Sequence, residues 1–261
     1  MATREARQGG LDALAACGLS LGLTWAMQAP FVGATLAGRE PAGHAMALLG
    51  LSAFGPALAA VCVGALRGGV RGVFGGWRAP VGWVLLALVA PALLHVPGQV
   101  IERALGGSPA AWLRPPASPE MIAAMIVFPL GEEMGWRGFV HPRLVDWLGG
   151  VRGSLVLGAV WGIWHVPSLW LPGAEGVSAP VVLRMTAEMC ALALVFAWFV
   201  ERSGRGLWVA IALHVGLHLD NVARLPESEW RLRALHLGVL AIAGAAAGWS
   251  LSRGTGKEGR G

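Results

Sequence analysis

An all-α fold is predicted for this sequence: a polytopic membrane helix bundle of about eight transmembrane helices. Three observations predict it. Of the 261 residues, 55% are hydrophobic. Only 13% are charged, against about 25% in an ordinary soluble domain. Apolar windows of about 20 residues, the length that crosses a bilayer as a helix, recur along the chain. Length therefore bounds the number of spans rather than of domains. The net charge of +5 could point to nucleic acid, but the Lys and Arg residues lie between apolar runs and form no basic patch. No nucleic-acid partner is expected, and the lipid bilayer is.

The spans are expected at 11–33, 43–66, 79–99, 119–140, 153–172, 179–200, 206–222 and 232–252, one integral-membrane domain over 1–252 with a flexible polar tail at 253–261. The first contains Leu14-Ala-Ala-Cys17, which resembles a lipoprotein cleavage box. Asp12 and the shortness of the apolar run before it make this part of the span. Arg67-Gly-Gly-Val-Arg71 links the second span to the third, and Trp112-Leu-Arg-Pro-Pro116 the third to the fourth. Cys17, Cys62 and Cys190 each fall in an apolar run with no CxxC, which reads as small buried hydrophobes. Counted with eight spans, twelve Lys and Arg residues share a face with both termini and seven lie opposite. That balance places the termini in the cytoplasm of a multi-pass cell-membrane protein. Of the thirteen tryptophans, Trp112, Trp147, Trp170 and Trp230 suit an interfacial belt, and Trp136, Trp161 and Trp164 suit packing around a cavity.

The fourth span carries Glu132, Glu133 and Arg137 in an otherwise apolar stretch. Three ionised groups there would cost roughly 8–10 kcal/mol unless neighbouring helices or water satisfy them. Glu133 and Arg137 stand at i and i+4, acid before base, in the order that favours an ion pair. Glu132, turned about 100° away, is left to face the bundle interior as a general base that activates water. Pro129 leaves the carbonyl of Met125 without its helical donor, so a kink there would open room for water. The alternative is a structural charge cluster holding helices together.

Gly158 and Gly162 form a GxxxG in the fifth span, permitting close helix approach, and His165 follows one turn later. A lone histidine here would more often be a neutral core residue. The sixth span opens with Arg184 and Glu188, an i, i+4 pair. The seventh carries His214 and His218 on one face, a spacing that also suits two metal ligands, but without the Glu of an HExxH. Asp220 and Asn221 lie close enough to orient that face, whereas His44, His95, His141 and His236 lie at span ends or edges that water reaches.

In order, Glu132-Glu-Met-Gly-Trp-Arg137, Trp161-Gly-Ile-Trp-His165 and His214-Val-Gly-Leu-His218 resemble the EExxxR, FxxxH and HxxxN/D motifs of the CAAX-protease and bacteriocin-processing (CPBP or ABI) family of intramembrane endopeptidases. The motif core spans 119–222. Trp161 stands where the family has Phe, and His218 where Asn or Asp is commoner. The resemblance implies a CAAX prenyl protease-like hydrolase that cuts a membrane-associated peptide or protein without an acyl-enzyme. Glu132 and His165 would hold and deprotonate water, His214 with His218 would stabilise the oxyanion, and Glu133 with Arg137 would support them. The family has been described both as glutamate-type and as metalloproteases. No cofactor is favoured, because a dedicated zinc motif is missing, but Glu132, His165, His214 and His218 could make a zinc set. Outside that family, Glu and His residues in membranes also suit a proton-coupled transporter, or the chain could be a non-catalytic immunity protein.

Overall fold

The computed structural model describes residues 3–68, 76–106, 116, 118–171, 174–219 and 230–254. Ten α-helices follow one another among them, and no strand is present among the described residues. They are α1 (Arg4–Leu36), α2 (Gly43–Leu51), α3 (Gly55–Leu66), α4 (Val81–Ala104), α5 (Pro119–Gly135), α6 (His141–Leu148), α7 (Gly150–Trp164), α8 (Ala179–Arg202), α9 (Leu207–Leu219) and α10 (Trp230–Gly254). Asp220, Asn221, Trp112 and residues 255–261, all singled out above, lie outside the described residues, as do the side chains of His95 and Trp230.

Each apolar run became helix, but not always one unbroken rod. The second span is divided by a 3₁₀ turn at Ser52–Phe54, where Pro56 supplies the fixed φ of a new helix start. Among the described residues, five stretches are long and apolar enough to cross a membrane: Arg4–Leu36, Gly43–Leu66, Val81–Ala104, Ala179–Arg202 and Ala234–Arg253. The chain is thus a multi-pass membrane protein. The three remaining runs, carried by α5, α7 and α9, have 17, 15 and 13 helical residues. These three helices and the turns that follow α5 and α7 carry the candidate site residues, and they pack against the longer helices.

The fourth span differs from its expected form. α5 runs on through Pro129 to Gly135, and the change of winding comes at a π-helical turn over Trp136–Val140 before α6 begins. Such turns are inserted where one extra residue must be accommodated, often at functional sites. Close packing accompanies it: a Cβ on Gly135 would lie 2.2 Å from the carbonyl carbon of Pro56, so α5 rests directly on the backbone of α3. Glycine also brings α7 onto α8. A Cβ would lie 2.5 Å from Cys190 Cα at Gly158, and 2.7 Å from Thr186 Cα at Gly162. The GxxxG therefore marks a backbone-to-backbone contact in this chain.

The largest enclosed side chains, Trp136, Phe139, Trp161 and Phe196 among them, lie between α1, α7, α8, α9 and the π turn. Two expectations need correcting. His141 is buried rather than water-washed, its Nε2 lying 3.2 Å from Ser154 Oγ across the α6–α7 junction. The left-handed Gly149 (φ 83°) folds α6 back against α7, which encloses that ring. Cys62 lies exposed on α3, whereas Cys17 is buried midway along a continuous α1.

Candidate active site

On α5, Glu132 and Glu133 are adjacent and both buried. One helical turn on, Arg137 Nη1 donates to Glu133 Oε1 at 2.9 Å, with neither side chain more than 1% exposed. This is the expected i, i+4 pair, closed by local helix geometry although Arg137 sits in the π turn. The guanidinium also lies over two rings of the core, 4.4 Å from the centroid of Trp161 and 4.0 Å from that of Phe196. Two aromatic rings therefore contribute cation–π contacts to its charge.

His214, delivered by α9, reaches the same carboxylate oxygen: its Nδ1 lies 2.8 Å from Glu133 Oε1. The sequence pairs Glu133 with Arg137 as supports for the other site residues; the direct contact with this imidazole comes from the tertiary structure. With Nδ1–H donating to Glu133, the Nε2 atom faces away from the pair. A neutral ring then presents Nε2 as an acceptor. It presents Nε2–H as a donor when the ring carries both protons, or when the proton between the two groups rests on Glu133. His218 follows one turn later, its ring centroid 5.1 Å from that of His214.

Trp161, on α7, links the other two groups. Its indole Nε1–H donates to Glu132 Oε2 at 3.1 Å. Its backbone carbonyl accepts from His165 Nδ1 at 2.8 Å, which fixes the tautomer and leaves the Nε2 lone pair of a neutral ring outward. The same indole contacts the rings of His165 and His214, at centroid distances of 5.6 and 5.7 Å. His165 in turn lies within electrostatic reach of both His214 and His218. Three helices thus converge: α5 and its π turn with Glu132, Glu133 and Arg137, α7 with His165 at its C-cap, and α9 with His214 and His218. The sequence reading gave Trp161 a packing role; the available signal was the N–H that tryptophan adds where the resembled family has phenylalanine.

Several polar atoms of the site, Glu133 Oε2, Arg137 Nη2 and Trp136 Nε1, are buried without a hydrogen-bond partner among the described residues. Groups of this kind are expected to be met by water or substrate. The donor set of three imidazoles and a carboxylate has the chemistry of a zinc site. Its placement does not fit one: among the described residues, no three His, Cys, Asp or Glu side chains are grouped closely enough to share a metal ion. Beside the site, an apolar pocket of about 450 Å³ is lined by Leu86 and Pro91 of α4, Trp198 of α8, Leu213 and Leu217 of α9, and Ala243 of α10. Leu213 and Leu217 each precede one of the two site histidines.

Residues 114–219 match a family model described as type II CAAX prenyl endopeptidase Rce1-like. That segment, less than half of the chain, is similar to the CAAX-protease family. The matched segment runs from just before α5 to the end of α9, so it takes in all three site helices and α8, which α7 packs against. No curated protein matches the chain. Three helices of that segment converge on one buried cluster, where protein shelters charge that lipid would otherwise expel.

Proposed function

We propose that this chain is an intramembrane endopeptidase that hydrolyses a peptide bond of a membrane-associated substrate, using a water activated by Glu132 and His165. The supporting observation is that Trp161 holds both groups at once, Glu132 through its indole and His165 through its carbonyl. The attacking water would donate one hydrogen bond to Glu132 Oε1 and the other to His165 Nε2. Glu132 takes the proton as the hydroxide forms its bond to the scissile carbonyl carbon. The oxyanion then accepts from Nε2–H of His214, whose other nitrogen is anchored to Glu133, with His218 alongside. Collapse of the tetrahedral intermediate breaks the C–N bond, and the proton on Glu132 passes to the leaving amine.

The reaction is proposed without a metal, a reading supported by the lack, among the described residues, of three His, Cys, Asp or Glu side chains grouped as ligands. The apolar pocket beside α9 supports a substrate carrying an apolar anchor, in keeping with the prenyl endopeptidase description of the matched family. The excess of basic residues on one side supports cytoplasmic termini.

The test is cleavage by purified protein in lipid nanodiscs, read by the new terminal peptides in a membrane proteome. Glu132→Ala and His165→Ala are each expected to abolish cleavage while leaving the protein folded. Full activity in either folded variant would remove the assignment.

A further inference from the structure

We infer that Trp161 is a positioning residue for the carboxylate of Glu132, selecting which of its two oxygens acts on water. The inference rests on the proteolytic reading and adds a residue outside its acid–imidazole set. Glu132 is buried and has one hydrogen bond among the described residues, from the Trp161 indole to Oε2. A buried carboxylate on a glutamate side chain keeps three rotatable torsions, and without a fixed partner it samples several rotamers. The indole removes that freedom. It is 2% exposed, wedged against Phe196 at a centroid distance of 5.6 Å and beneath the Arg137 guanidinium, so it cannot itself turn away.

With Oε2 occupied, Oε1 is the oxygen left to take a proton. The same residue's carbonyl orients His165, so one position in α7 sets both groups between which the water would sit. The geometry of α7 against α8 holds that position in turn, because Gly162, next in sequence, lies against the backbone of Thr186. Phenylalanine at 161 would keep the ring contacts and the carbonyl but lose the donor. The carboxylate would then be free to turn, and chemistry rather than binding would suffer.

The decisive comparison uses the full-length protein in nanodiscs with a cleaved peptide substrate. One variant is Trp161→Phe. In the other, 3-benzothienylalanine is installed at 161 by codon suppression, replacing the indole N–H with sulfur at nearly the same shape. Both are expected to lower kcat about tenfold or more, with KM within about twofold of wild type, as follows when a charge-assisted hydrogen bond that positions the general base without touching substrate is lost. The benzothienyl variant keeps the packing, so its unfolding midpoint should fall only by what one lost hydrogen bond costs, and it settles the matter if Trp161→Phe does not fold.

A benzothienyl variant with wild-type kcat would overturn the inference while leaving the protease reading intact. Lost activity that follows the unfolded fraction alone, with kcat per folded molecule unchanged, would also overturn it, in favour of a purely structural role. A wild-type protein that cleaves nothing, with no difference from Glu132→Ala, would overturn the reading beneath it.

Discussion

Removing the Arg137 charge offers the sharpest test of how this bundle tolerates ions. Glu133 is 0% exposed and its Oε1 accepts from Arg137 at 2.9 Å and lies 2.8 Å from His214. At that separation the attraction between unit charges is about 6 kcal/mol even with an effective dielectric of 20. Arg137→Met keeps an apolar stem of similar length but leaves a buried carboxylate facing one imidazole. Breaking a buried pair from one side costs about 3–5 kcal/mol. The cation–π contacts with Trp161 and Phe196 add to the loss.

Glu133→Gln is expected to cost a similar amount, by leaving the guanidinium unpaired among the rings. The double variant Glu133→Gln/Arg137→Met removes both charges, so its destabilisation should fall short of the sum by roughly 2–3 kcal/mol. Unfolding of the reconstituted protein in mixed detergent micelles, followed by tryptophan fluorescence, measures all three. A loss below about 1 kcal/mol for Arg137→Met, or additivity within about 0.5 kcal/mol, would refute the picture of a desolvated, mutually dependent pair.

Two other outcomes are expected. Gly158→Ala places a methyl against the Cys190 backbone, where the Cβ would stand 2.5 Å from Cα. It should lower stability by about 1–3 kcal/mol and, by displacing Trp161 and His165 on the same helix, cut cleavage by up to about 100-fold for a 1 Å shift. Unfolding and cleavage assays on one preparation separate the two effects, and a fully active, fully stable variant would contradict the close α7–α8 contact. Chelator treatment is expected to leave activity unchanged, with less than one zinc per chain by elemental analysis. Loss on chelation and recovery with zinc would instead assign Glu132, His165, His214 and His218 a metal-binding arrangement that forms with substrate.

The sequence by itself determined the helical class, the approximate spans and the residues worth watching. Bilayer thickness sets the length of an apolar run, and an ion inside such a run is too costly to be incidental. It also determined the Glu133–Arg137 pair, because two side chains four apart on one helix meet through local geometry alone. The rest needed the tertiary structure. His214 meets Glu133 across 81 residues and Trp161 meets Glu132 across 29, contacts fixed by how α5, α7 and α9 are rotated about their axes. Local periodicity does not encode that rotation in helices this uniformly apolar; glycine contacts and a π turn do. The tertiary structure thereby brought Glu133 into contact with a histidine and gave a tryptophan, expected to pack, the bond to Glu132.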